Sequence, residues 1–214
     1  MKISRLGVLT AVLATLMLCL GSGIASGSTH LNLTLNNAPD IVSGFIDVSY
    51  DAGVQLLSAN GFALEIDDDG SGPPEAIAGG TFDLTATIDN TGNLIGGTIA
   101  VGGTVATLGF NSGTLLTGDL TAFGYPSGGG DPLEFLFGVT GGDAAPLYGS
   151  TGGTILTQSG FGGTFSSSFA NSSDGLADTG TTTIPIPSAL PAGLSLLCVL
   201  GVAAMARKMA RRSG

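Results

Sequence analysis

Thr81-Phe82-Asp83-Leu84-Thr85-Ala86-Thr87-Ile88 places an apolar residue at every second position and polar residues between. Successive Cβ atoms of a strand point to opposite faces, so period two marks a strand with one buried face. The same alternation recurs on both sides of this stretch. Leu31, Leu33 and Leu35 alternate with Asn32, Thr34 and Asn36. Ile46, Val48 and Tyr50 repeat it, as do Phe62, Leu64 and Ile66, and then Leu133, Phe135, Phe137 and Val139. No 3.6-residue stripe runs through this region. The expected fold is all-β: one Gly-rich β-sandwich or jelly-roll-like domain.

Glycine punctuates the pattern. All but six of the chain's 37 glycines lie between Ser26 and Thr183. Gly-Gly-Thr begins at Gly79, Gly96, Gly102, Gly152 and Gly162, each time followed by Phe82, Ile99, Val105, Ile155 or Phe165. The expected role is a turn that opens a strand, with Gly supplying positive φ and Thr the first β-branched residue. An irregular β-solenoid is the alternative, although these repeats keep no fixed period.

Charge divides the chain more sharply than hydropathy does. The six Lys and Arg residues are Lys2, Arg5, Arg207, Lys208, Arg211 and Arg212, and all sixteen acidic residues lie between Asp40 and Asp178. Lys2 and Arg5, the apolar run Leu6 to Leu20, and Gly23-Ile24-Ala25 have the order of a secretion signal cleaved after Ala25. Residues 26–169 then form the exported β-rich domain, and residues 170–183 a Ser/Thr/Gly stalk. Leu190 to Ala206 is apolar and uncharged, about 26 Å long as a helix at ~1.5 Å per residue. That is the short end of a membrane span. Arg207, Lys208, Arg211 and Arg212 would hold its far end on the cytoplasmic side.

The segment before that run carries a resemblance. Ile184-Pro185-Ile186-Pro187, followed by Pro191, the apolar run and the basic cluster, resembles the PEP-CTERM sorting domain of bacterial exosortase substrates. The family motif is usually Val-Pro-x-Pro, with Glu most common between the prolines, where this chain has Ile. The resemblance covers residues 184–214. It implies export, transient anchoring in the inner membrane and processing near the Pro motif by an exosortase-like enzyme. Release or attachment at the cell surface would follow, in association with extracellular polysaccharide. A second signal lies just upstream. Leu176-Ala177-Asp178-Thr179-Gly180 resembles the sortase pentapeptide Leu-Pro-x-Thr-Gly, with Ala in place of Pro.

The exported part is poorly equipped for catalysis. His30 is its one imidazole, and Cys198 lies in the apolar run. A Ser or Cys triad needs a positioned base, while Schiff-base chemistry and Arg clamps need side chains that are absent between Arg5 and Arg207. Carboxylate-pair chemistry such as glycoside hydrolysis remains, if two acids converge. Nucleic acid is excluded as a partner, because phosphates require cationic side chains. The expectation is a non-enzymatic surface or matrix protein. The densest acidic turn, Asp67-Asp68-Asp69-Gly70, offers Glu65, Asp67 and Asp69 in an EF-hand-like register as a Ca²⁺ candidate. Ala76 stands where the bidentate Glu would be and Pro73-Pro74 follow, so a true EF-hand is rejected.

Overall fold

A computed structural model describes residues 30–183. Its strands are β1 (Thr34–Asp51), β2 (Leu56–Asp67), β3 (Glu75–Ala76), β4 (Ala78–Ile88) and β5 (Leu94–Val105). They continue with β6 (Phe110–Gly124), β7 (Leu133–Gly141), β8 (Thr151–Thr157), β9 (Phe169–Ala170) and β10 (Gly175–Thr183). One short helix, α1 (Ala145–Tyr148), separates β7 from β8. The signal peptide, the Pro motif, Pro191, the apolar run and the basic cluster lie outside the described residues.

The all-β expectation holds, but the sandwich and the solenoid do not. Antiparallel pairing runs β1-β2-β4-β5-β6-β7-β8-β10 and returns to β1, giving a closed eight-stranded barrel. Closure leaves these eight strands without a free edge. Eight strands also enclose a space just wide enough for side chains to fill. Here Phe82, Leu84, Ala86 and Ile88 of β4, Ile99 and Val101 of β5, Phe135 and Phe137 of β7 and Val48 of β1 fill it. The residues between them face solvent: Thr81, Asp83 and Thr85 on β4, Asp119 and Thr121 on β6, Asp47 and Ser49 on β1. Apolar inside and polar outside reverses the pattern of a barrel embedded in lipid.

Both ends of the barrel are stoppered. At one end, residues 158–170 carry Phe161, Phe165 and Phe169 onto Tyr50, Phe123 and Tyr125. Phe161 and Phe165 stack with centroids 4.7 Å apart, and Tyr50 meets Phe165 edge-on at 5.0 Å. The Tyr50 hydroxyl donates to the Ile88 carbonyl at 2.8 Å, so its buried polar end is satisfied. The Asp131 carboxylate tethers the segment, accepting from the Gln158 N–H, the Ser159 N–H and the Ser159 hydroxyl. At the other end Tyr148 of α1 donates to the Thr179 carbonyl at 2.7 Å.

Two expectations are corrected here. The first concerns Gly-Gly-Thr. Four of its five copies lie inside β4, β5 and β8 rather than at turns. They are points of close approach in a small, tightly coiled wall. Phe137, fully buried, rests its ring against Gly118 of β6 and Gly152 of β8, where a Cβ would collide with the ring. Gly97 has φ +155° and lies where a Cβ would strike the Thr85 carbonyl. The second concerns the stalk. Gly175–Thr183 is strand β10, hydrogen-bonded to β8 on one side and β1 on the other. The barrel therefore extends to Thr183, beyond the boundary expected at residue 169.

Gly152→Ala should cost about 1–3 kcal/mol of stability, because the methyl must displace the Phe137 ring. Gly96→Ala, with open space at its Cβ position, should stay within about 0.5 kcal/mol of wild type. Urea unfolding of the two variants checks this; equal midpoints would mean that Phe137 does not need the glycine.

Candidate functional site on the outer wall

Strands β10, β1 and β2 are neighbours in the wall, and the β1–β2 register shifts twice, as the β1–β10 register also does. Gly44 pairs with Phe62 but Asp47 pairs with Asn60, so β1 carries an extra residue at Phe45–Ile46. Val42 pairs with Glu65 but Ser43 pairs with Ala63, so β2 carries an extra residue at Leu64. These are β-bulges, which re-aim side chains locally. Phe62 and Leu64, expected on the buried face with Ile66, are 57% and 41% exposed, while Ile66 is fully buried. Ala59 and Ala63 take the inward positions instead.

Four carboxylates gather on the same wall beside the bulges. Asp40 pairs with Asp67 across β1 and β2, and Val42 lies between Glu65 and Asp178 in the two registers. The Asp178 side chain lies close enough to the Asp40 carboxyl to share a proton with it. Asp40 Oδ1 is buried and has no hydrogen-bond partner. Burial first, then the Asp178 hydrogen bond and the charges of Asp178, Asp67 and Glu65, push the Asp40 carboxyl up to about 8. The physics is that of paired carboxyls, in which one retains its proton because two adjacent negative charges repel. A carboxyl–carboxylate contact pair differs from the ~5–10 Å separation that glycoside hydrolysis uses, which must admit a glycosidic oxygen or a water.

The Ca²⁺ candidate residues are placed differently from their sequence register. The carboxylates of Asp67, Asp68 and Asp69 offer oxygens within 4.8 Å of one another. Glu65 stays on β2, two residues before this turn, in the field of Asp40 instead. Part of the turn's acidity is spent on its own backbone. Asp67 Oδ1 accepts from the Gly70 N–H at 2.7 Å, and Asp69 Oδ1 from the Ser71 N–H at 2.8 Å. The bonds from Ser71 hold the Asp69 carboxyl below the usual range.

His30 has a structural environment. Its Nδ1 lies 3.0 Å from Glu134 Oε2. Glu134, only 2% exposed, also accepts the N–H groups of Asn32 at 2.9 Å and Leu33 at 3.1 Å. That carboxylate fastens the segment leading into β1 across the outside of β7. Leu176 to Gly180, the sortase-like pentapeptide, is a central piece of β10. Thr179 is fully buried, and its hydroxyl is 2.7 Å from that of Thr154.

Sequence reasoning missed Asp40 and Asp178, which are far apart in the chain. Two outward-facing acids in strands are common, and only the β1–β10 register brings them together. Among the described residues no helix is long and apolar enough to cross a membrane. Comparison with protein-family models, curated proteins and solved structures gives no match for this chain. The wall thus defines a class of protein by architecture alone: a filled, polar-surfaced, up-and-down eight-stranded barrel with an acidic cluster on one flank.

The Asp40 pair gives stability a pH dependence of known sign. The unfolded carboxyl titrates near 3.8 and the folded one near 8. Between those values the native state holds a proton that the unfolded chain has released, so stability falls as pH rises through this window. Below pH 4 the contribution is complete, and above 8 it is gone. Asp40→Asn should flatten the slope and raise the urea midpoint at pH 8 relative to wild type. Superimposable pH profiles of the two proteins would show that Asp40 is ordinarily ionised.

Proposed function

We propose that this chain is an exported, non-enzymatic cell-surface or extracellular-matrix protein, sorted by its PEP-CTERM-like tail. One observation carries the reading. The described barrel runs through Thr183, and the Ile184-Pro185-Ile186-Pro187 motif follows it directly in the sequence. Cleavage at the motif would therefore leave every described strand whole. A sortase-like cut after Thr179 would instead require β10 to be unzipped from β8 and β1. It would also separate Thr181, Thr182 and Thr183 from the barrel. The Pro motif is the signal compatible with a folded passenger.

The barrel's chemistry fits a passenger that binds rather than transforms. Its interior is filled by side chains, its one His is engaged by a buried Glu, and Asp40 and Asp178 lie side by side. Association with extracellular polysaccharide follows from the family resemblance. Intact mass spectrometry of the protein released from cells tests the route. The expected C-terminus lies between Ile184 and Pro187, and the expected N-terminus follows Ala25. An end at Thr179, or an intact tail, would refute the proposed processing.

A second reading concerns Ca²⁺ at the Asp67–Asp69 turn, favoured by three carboxylates whose oxygens lie within 4.8 Å. No Lys or Arg lies between Arg5 and Arg207 to neutralise them. Hard oxygen donors at a turn suit this ion. Millimolar Ca²⁺ should raise the melting temperature by a few degrees through mass action, and Asp68→Asn should abolish the rise. Identical melting curves in Ca²⁺ and in EDTA would eliminate the reading.

A further inference from the structure

The bulged wall has an apolar half as well as an acidic one. Phe45 is 60% exposed and Phe62 57%, and Leu64 and Leu176 stand beside them. The Leu64 and Leu176 side chains approach from opposite strands to within 3.1 and 3.5 Å of where a Gly44 Cβ would stand. Phe45, Phe62, Leu64 and Ile77 line an open groove floored by Gly79 and Gly80. The acidic half follows on the same three strands: Asp178 two residues after Leu176, Glu65 directly after Leu64, and Asp40 facing Asp67.

This arrangement is maintained against a local cost. Phe45 has φ +53°. The left-handed region is a genuine outlier for a bulky residue, and such positions cost on the order of 1–3 kcal/mol. The backbone is strained to hold an aromatic ring out in water, where it gains no burial. A strained, exposed ring on a bulge is a feature found at recognition sites rather than at packing sites.

We infer that the apolar groove of β1, β2 and β4, together with the acids beside it on β10, β1 and β2, docks a polypeptide segment of a different protein in which an apolar stretch adjoins a cationic one. Charge decides the class of occupant. A second copy would bring the same carboxylates, and no Lys or Arg lies between Arg5 and Arg207 to answer them. Like charges placed face to face are repelled. The occupant must supply Lys or Arg to Asp40, Asp178, Glu65 and Asp67, and apolar side chains to Phe45, Phe62, Leu64 and Leu176.

The test uses the full chain in zwitterionic detergent with a fluorescent peptide in which a run of leucines adjoins a run of lysines, read by anisotropy. Peptides with glutamate in place of lysine, or with serine in place of leucine, serve as controls. The wild type should bind the lysine–leucine peptide, and added salt should weaken the complex. Phe45→Asn with Phe62→Ser should weaken it by about tenfold or more, the scale of losing a binding hot spot. Asn tolerates the left-handed region, so Phe45→Asn alone should melt at or above the wild-type temperature while binding less. That combination separates a docking residue from a packing residue. Equal affinity for the lysine–serine peptide would overturn the inference, as would unchanged affinity in the double variant. So would concentration-dependent dimerisation that Phe45→Asn abolishes, which would make the occupant a second copy.

Discussion

Strand β1 is hydrogen-bonded to β2 along one edge and to β10 along the other, and everything else in the barrel rests on that double engagement. Without the β1–β10 ladder the sheet would be open, with two unpaired edges and a half-covered apolar face. With it, the core side chains of all eight strands face a common interior. Closure also sets the cost of each glycine. A wall of eight strands is narrow and strongly coiled, so Phe137 can lie across its neighbours only where they present Gly118 and Gly152.

The same closure makes the outer wall of β10, β1 and β2 a continuous surface built from the two ends of the barrel sequence. Bulges in β1 and β2 turn Phe45, Phe62 and Leu64 outward, and the β1–β10 register sets Asp178 against Asp40. In a protein with an ordinary supply of Lys and Arg these acids would have acquired partners. Here they have one another, and a retained proton on Asp40 relieves the repulsion. Register shifts also occur between β4 and β5, β5 and β6, and β6 and β7, but only on this flank do they coincide with two exposed Phe rings and a cluster of acids around Asp40. That coincidence, rather than the bulges alone, sets this flank apart from the rest of the barrel.

Much of this was legible beforehand. Alternation in β4 and β7 identified Phe82, Leu84, Ala86, Ile88, Phe135 and Phe137 as inward-facing, and all six are buried. The acidic turn after β2 was visible as Asp67 to Asp69, and its carboxylates do converge. Alternation failed in β2, because a bulge shifts the phase by one residue without leaving a mark in composition. The Ser/Thr/Gly stretch after Phe169 defeats a reading by composition for a related reason. Composition of that kind describes a flexible segment when it has no partner, but β10 has partners on both sides.

The sequence by itself determined the strand content, the side of each regular strand that is buried, and the segregation of all positive charge to the chain ends. These are local properties, set by period two and by where Lys and Arg occur. Only the tertiary structure decided that the sheet closes into a barrel, that Leu176 to Gly180 is wall rather than linker, and that Asp40 meets Asp178 beside an exposed aromatic groove. Each of those depends on pairing between residues more than a hundred positions apart, and a backbone ladder accepts almost any side chain. Register across such a distance is chosen by the packing of the whole core, which no short stretch of sequence encodes.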